Sequence, residues 1–403
     1  SLIEASQSSL SNIAALGYES GNRVIWGCSQ RKGKVWSPQK GGSIAAWCNW
    51  VKKAWDKIFS SEPDPNNLTR NFLRPVPLLE PYHEYPISAQ WGEHLLTAFE
   101  DKVIFHFDAI SAHLYLVEVK TAGKFDDGNV RLIFSTDETS SEYKLCLTGS
   151  TTAKGYVYQL ISGPEVFVQR GESEPVSLSE YMEIDPVMIH YSDGSFSYNA
   201  HIVHVSQHIG LYDKDEIVAF DWNGTDVRVE SMGYFRDPSS IQWRWYCEIK
   251  DNYDVIINDD GKGESADLVG LRIVDDCIVL SLIHCKYSGS EEAGARLKDL
   301  YEVCGQAQRC IRWKHLNLSY LYHHIKRREE QWRSRGHSRF LKGTIKDLAA
   351  MKERSRITPL KFQVVIVQPG LRVSKINEEG LKLLGSTALF IKKTTIADLV
   401  VIG

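Results

Sequence analysis

Asp267 and Lys286 are the residues of this chain whose types and spacing most directly permit chemistry. They stand nineteen positions apart in ADLVGLRIVDDCIVLSLIHCKY, two strand-like runs joined at Asp275-Asp276. An acidic turn between two such runs predicts a hairpin, which sets the start of one strand beside the end of the next. A carboxylate next to a lysine at the end of a buried sheet suits metal-assisted phosphodiester hydrolysis. The carboxylate holds a hard divalent ion; the lysine orients or deprotonates a water and offsets negative charge on phosphorus. Spare carboxylates lie close by in NDDGKGE: Asp259, Asp260 and Glu264, with Glu248 on the preceding segment. Glu264 is three residues from Asp267, so an unbroken strand would face them oppositely. A bulge or irregular strand start beside Gly261 and Gly263 would bring both to one side.

The flanking elements must hold this hairpin in place. SSIQWRWYCEIKDN (239–252) predicts a helix opened by a serine cap at Ser239, with Ile241, Trp245 and Ile249 on one face. EEAGARLKDLYEVCGQAQRCIRW (291–313) opens on acids and closes on basic residues, the order a helix dipole favours. KFQVVIVQPG (361–370) is a near-continuous apolar run ended by Pro-Gly, typical of a strand buried on both faces. A short helix over 374–384 and a strand over 395–402 complete an α/β layer.

In this order of elements, and in Asp267 with His284-Cys285-Lys286, the region resembles the PD-(D/E)XK nuclease superfamily. The core of that superfamily runs helix, three strands, helix, strand, with an acid on the second strand and acid-x-Lys on the third. Here His284 stands in the place of the second acid. A neutral imidazole can ligate a metal, but it prefers borderline ions such as manganese or zinc to magnesium. The resemblance implies a divalent ion, Mg2+ or Mn2+, held by Asp267, Glu264 and His284, with the Cys285 carbonyl as a further ligand. It implies that Lys286 positions the attacking water. A glutamine of the following helix, Gln306 or Gln308, would reach the site, with Gln306 steadying the water or the phosphate. Many members dimerise to cut both strands, which makes a homodimer one expected arrangement. A second match to the signature, Glu118-Val119-Lys120 after Asp108, lies in LYLVEVK, whose alternation is that of a strand with one wet face.

Charge is unevenly spread beneath a net of −4. Residues 1–231 carry 19 basic against 30 acidic side chains, and 232–403 carry 28 against 21, so the halves differ in sign. The basic excess concentrates in 326–356, with 11 basic and 4 acidic residues and Trp332, His337 and Phe340 among them. That composition predicts contact with a phosphate backbone through Lys326, Arg327, Arg328, Arg333, Arg335 and Arg339. Docking of this arm on the acidic first half is the competing expectation. No apolar run approaches the 18 or so residues that cross a bilayer, and no signal peptide is visible. The eight cysteines, scattered without CxxC pairs, predict reduced thiols in a cytoplasmic setting. A chain that starts on Ser is expected to be a fragment or a processed form.

Three regions follow. Residues 1–61 read as a small α/β entry: a polar, helix-compatible start, two short strands, and a helix with the apolar stripe Ile44, Trp47, Cys48, Val51, Trp55 and Ile58. Core packing accounts for most of its tryptophans. SEPDPNNLTR (61–70) reads as a linker. Residues 72–232 hold short alternating segments between turn residues, the pattern of a β sandwich or barrel. Residues 238–403 are the nuclease-like domain with a mixed central sheet, so the expected class is α+β multidomain.

WSPQKGGSIAAWCNW, LSEYMEIDPVMIHYSDGS, IVAFDWNGTDVRVESMG and DDGKGESADLVGL with IHCKYS together resemble the carboxy-terminal region of bacterial DEAD/DEAH helicase-like proteins of phage defence. The chain has no G-x-x-x-x-G-K-[ST] loop, so its motor would be a helicase fused upstream or separate. The leading expectation is a metal-dependent DNA endonuclease module working with a helicase against foreign DNA. A catalytically degenerate module that binds DNA and docks a partner protein is the second, favoured by the histidine in the acid's place. An unrelated β-rich binding protein is the third.

Overall fold

The computed structural model describes residues 13–19, 22–29, 34–37, 43–59, 75–96, 102–147, 155–204, 210–288, 296–315, 318–371, 376–395 and 397–403. The chain divides into two compact units, Ser1–Val76 and Pro77–Gly403. In the first, Ile13–Glu19, Asn22–Ser29 and Lys34–Trp36 form an antiparallel sheet, and a helix follows at Ile44–Ile58. The helix-compatible start is therefore a strand from Ile13, paired with its neighbour from Glu19↔Asn22 to Ile13↔Cys28. The pairing satisfies its backbone where local propensity alone pointed elsewhere. The helix also differs from expectation. Ala54 is buried, but Trp47 and Trp55 are 61% and 62% exposed, and Ile44 and Phe59 are exposed with them. The predicted linker at 61–70 lies outside the described residues.

The second unit opens with β-rich layers. One sheet joins Tyr156–Ser162, Ser140–Leu147, Val130–Ser135 and Glu118–Lys124; another joins Val176–Ser177, Val166–Arg170, Val103–Phe107 and Ile110–His113. Strict alternation fixes which face is buried: Val103, Phe105 and Phe107 enter a core with Leu132, Phe134, Tyr143 and Val168. Pro86–Gln90, Met188–Tyr191, Phe196–Tyr198 and His201–Val203 pair antiparallel in that order.

The remainder is a seven-stranded mixed sheet with helices. In chain order its elements are β1 Ile217–Val218, α1 Ile241–Ile249, β2 Val255–Asn258, β3 Leu268–Val274, β4 Cys277–Cys285, α2 Leu297–Arg309, α3 Leu318–Arg333, β5 Phe340–Lys342, α4 Ile345–Arg354, β6 Leu360–Val367, α5 Glu378–Thr395 and β7 Leu399–Ile402. The strand order is β1-β7-β6-β4-β3-β2-β5. β2, β3 and β4 form an antiparallel meander; β6 lies parallel to β4, and β7 parallel to β6. β2, the second half of β4 and the end of β6 are buried on both faces, as their mainly apolar residues require.

The predicted hairpin is present, paired from Val274↔Cys277 to Leu268↔Ile283. Asp275 and Asp276 both adopt left-handed conformations, with φ of 47° and 57°, which two-residue turns of this kind need. α1 is capped by Ser240, whose hydroxyl accepts from the Trp243 N–H, rather than by Ser239, whose hydroxyl donates to Asp237. α5 begins and ends later than expected. α2 packs against α5 and against Pro86–Gln90. At Gly305 a Cβ would run into the Ile87 carbonyl, so glycine permits the β-rich strand to lie against the helix. No helix among the described residues is long and apolar enough to cross a membrane.

The turn supplies a direct test. Asp276→Val should lower unfolding stability in urea by about 1–2 kcal/mol, the cost of a left-handed residue bearing a branched Cβ. Asp276→Gly should cost nothing.

Candidate metal centre

Asp267 sits one residue before β3, where the ladder continues through the Asp259 N–H donating to the Asp267 carbonyl at 3.0 Å. Its carboxylate is buried and accepts two hydrogen bonds, from the Cys285 N–H at 2.8 Å and from the Gln242 amide at 2.8 Å. The hairpin thus places Asp267 against the end of β4, as the sequence predicts. His284, 2% exposed, stands 4.0 Å from the same carboxylate through Nδ1, and neither ring nitrogen has a hydrogen-bond partner. Burial, with Arg309 nearby, pushes His284 down to about 3, so the ring is neutral and keeps a free lone pair.

Asp260 and Glu264 join Asp267 in a group whose oxygens lie within 4.8 Å of one another. The segment between β2 and β3 is irregular, with Gly261 and Gly263 at φ of 109° and 75°. That irregularity brings Glu264 and Asp267 to one side, as a regular strand could not. Glu264 is half-buried, and accepts from the Gly261 N–H at 2.9 Å and the Gln306 amide at 3.2 Å. Burial and then neighbouring carboxylates push both acids well above the usual carboxylate range: Asp260 and Glu118 act on Glu264, and Glu264, Asp260 and Glu230 act on Asp267. Three acids that repel one another beside an unpartnered neutral imidazole form a donor set suited to a divalent cation.

Lys286 continues the β4–β6 ladder by donating its N–H to the Val367 carbonyl at 2.9 Å. Its amine is held by Glu230 at 3.1 Å and Glu302 at 2.8 Å. Burial alone would lower it, but those carboxylates outweigh burial and hold it above the ordinary lysine range. It therefore stays charged at neutral pH, which removes the expected option of deprotonating a water. Of the two candidate glutamines, Gln306 reaches the acids, while Gln308 is buried and donates to Thr387 at 3.2 Å.

A cavity of about 60 Å³ adjoins the group, lined by Glu264, His284, Gln306 and Arg309 and by Trp91 and Glu118 of the β-rich layer. Glu118, read as an ordinary strand residue, thus stands at the rim, 3.7 Å from Arg309. Sequence reasoning also passed over Glu230, Glu302 and Gln242, and over Ser231, whose hydroxyl donates to Asp260. None carries a local signal, because each meets the hairpin only through the fold.

The spare acid Asp259 has another role. It is fully buried, with Arg328 at 2.6 Å, His324 at 3.1 Å and Arg339 at 3.8 Å, and it accepts from both N–H and hydroxyl of Ser265 at 2.8 Å. Burial opposes its charge, but these cations hold it far below the usual carboxylate range. Arg328 and Arg339, 1% and 3% exposed, therefore belong to the core and not to a phosphate-binding surface, a correction to the six-residue footprint. Arg327 is half-buried near the Tyr115 ring, and Lys326 pairs with Glu330 at 3.7 Å. Arg333 and Arg335 are exposed, as expected. Glu248, on α1, faces Arg244 at 3.8 Å.

Comparison of the chain with protein-family models, with curated proteins and with solved structures returns no match.

Two outcomes follow from this electrostatics. Because the folded Glu264 carboxyl binds its proton more tightly than in the unfolded chain, its contribution to stability is complete below about pH 4.3 and is lost as pH rises through the folded value. Glu264→Gln should therefore melt higher than the parent at neutral pH without metal, flatten that pH dependence, and shrink the shift produced by added Mn2+. A variant that melts lower and keeps the full Mn2+ shift would exclude Glu264 as a ligand. Arg328→Ala should lose about 3–5 kcal/mol in urea unfolding, since it strands Asp259 in the core. The same change should erase the Mn2+ shift.

Proposed function

We propose that this chain is a metal-dependent phosphodiesterase, an endonuclease module acting on DNA and working with a helicase in defence against foreign DNA. The observation that carries the reading is the meeting of Asp260, Glu264 and Asp267 with the unpartnered His284 at the hairpin end that also bears Lys286. The order helix, three-stranded meander, helix, parallel strand in α1, β2–β4, α2 and β6 supports it, being the order of the PD-(D/E)XK core.

Asp260, Glu264 and Asp267 would hold the ion, with His284 completing the set and favouring Mn2+ over Mg2+. When bound, such an ion supplies Lewis-acid polarisation of the phosphodiester and a water of lowered pKa. The protein's own residues divide the rest. Lys286, kept charged by Glu230 and Glu302, would offer a cation to the phosphate. Gln306 and Gln242 each donate to one acid and so fix the carboxylate rotamers. The Cys285 N–H fixes the remaining Asp267 oxygen. Because the amine stays charged, Lys286 orients the water or the phosphate and takes no proton.

A second reading, DNA binding without cutting, is favoured by His284 in the place of an acid and by the pairing of Lys286 with two carboxylates. A nicking assay on supercoiled plasmid separates the two. The parent should nick in Mn2+ and not in EDTA. Lys286→Gln, chosen to keep a hydrogen-bond donor between Glu230 and Glu302, should cut about 100-fold or more slowly with its melting curve intact. Nicking by the variant at the parental rate sinks the catalytic assignment, and no nicking by the parent in any divalent ion favours the second reading.

A further inference from the structure

The segment that feeds the site continues into an exposed aromatic tip. Glu230 holds Lys286 and Ser231 holds Asp260; the chain then turns through Gly233 and Arg236, both left-handed at φ of 58° and 59°. These two residues bracket Tyr234-Phe235, holding Tyr234 half-buried against Trp332 and turning Phe235 out to solvent. Phe235 is 88% exposed, the most exposed large apolar side chain among the described residues. Its ring meets the His337 edge with centroids 5.4 Å apart. Tyr234 lies 4.5 Å from Trp332 and 5.3 Å from His337, and its hydroxyl accepts from Arg335 at 2.6 Å. Three rings thus line up from the protein edge outward, with a fourth, Trp332, buried behind them as support.

Cations frame the rings. Arg333, Arg335 and Arg236 are exposed around the tip, and Arg236 is anchored to the Phe340 carbonyl at 3.2 Å. The nearby acids are already engaged. Glu329 is buried and accepts from Arg333, Ser338 and the Arg339 N–H, while Asp237 caps Ser239. The surface left to a ligand is therefore aromatic, with the Arg236 and Arg335 cations beside it and Arg333 paired to Glu329, and the chain runs from it to the acid group through Ser231 and Glu230.

From this we infer that the Tyr234–Phe235 tip, with His337, Arg333 and Arg335, is a docking platform for single-stranded nucleic acid leading into the metal centre. An exposed ring flanked by guanidinium groups matches a chain of unpaired bases on phosphates: the base stacks on Phe235 and the arginines take the phosphates. A duplex hides its base faces and would use only the arginines. The inference deepens the phosphodiesterase reading by naming the form of its substrate, and rests on that reading for cleavage though not for binding.

The test measures binding apart from cleavage, by fluorescence anisotropy of labelled oligodeoxythymidine and oligouridine in EDTA, with a duplex of equal length beside them. The parent should bind a single strand more tightly than the duplex, and the tighter of the two single strands names the sugar. Phe235→Ala removes no core contact and should weaken single-strand binding about 5- to 100-fold, while Phe235→Trp keeps it. Arg333→Ala with Arg335→Ala should flatten the log–log salt slope by about 1.4. Unchanged binding by Phe235→Ala, a preference for duplex, or no oligonucleotide binding by the parent overturns the inference, the last leaving the tip to a protein partner. If plasmid nicking is absent but Phe235-dependent binding holds, the catalytic reading falls and the platform stands. If nicking proceeds and Phe235→Ala binds as the parent does, the platform falls alone.

Discussion

The site depends on the buried pair of Arg328 and Asp259. A guanidinium in a core is costly unless all five of its N–H groups find acceptors. Here Nε takes the Asp259 carboxylate, while the two terminal nitrogens take the carbonyls of Asp259, Asp260, Lys262 and Tyr115. The demand of one side chain is thus met by the backbone of the very loop that bears Asp260 and Glu264. Arg339 adds bonds to the Asn258 and Asp260 carbonyls. A loop whose successive carbonyls are committed inward has little freedom left, so its carboxylates keep their positions despite mutual repulsion.

Acids of the same short stretch consequently fall into two electrostatic classes. Asp259 faces two guanidinium groups and a histidine, and its charge is favoured even though it is fully buried. Asp260, Glu264 and Asp267 face mainly one another; Lys286 is engaged with Glu230 and Glu302, and Arg309 with Glu118. Acids that are neutralised within the fold serve stability. Acids left to repel one another leave a group that a cation can complete, and raised carboxyls beside a cavity make a functional-site candidate.

What the sequence made legible follows the range of each interaction. The Asp275-Asp276 hairpin, the apolar run of β6 and the acid-to-base order of α2 are local, and all three were readable. Asp267 and Lys286 were read from the hairpin itself, while His284 and Gln306 came only with the resemblance. The arginines divide on the same ground. A basic run read by composition cannot tell Arg335, exposed in the turn after α3, from Arg328, which lies 69 positions from the Asp259 that buries it. Glu230 and Gln242 reach the end of the hairpin from 57 and 25 positions away, and Glu118 reaches the cavity through Arg309; no pattern in their own neighbourhood announces it. The strand at Ile13–Glu19 was missed because its evidence is a partner, not a propensity.

These contacts also bear on what the β-rich layers do. Lys262 donates to the Thr136 carbonyl, Arg328 to that of Tyr115, and Arg309 to that of Val119. Gly263 is left-handed, and a Cβ there would run into the Tyr115 carbonyl, so the acid loop lies hard against the β-rich backbone. Tyr85 stacks on Tyr301 of α2 at 4.6 Å, on the helix that carries Gln306. Each contact joins a residue adjacent to the site to a main-chain or aromatic group of the β-rich layers. The loop between β2 and β3 is therefore walled on one side by α3 and on the other by the segments around Tyr115 and Thr136. Removing the β-rich layers would expose the Arg328 guanidinium, open the cavity at Glu118 and release the loop. The β-rich half is thus a wall of the acid group, and residues 238–403 alone hold its carboxylates but not the geometry that gathers them.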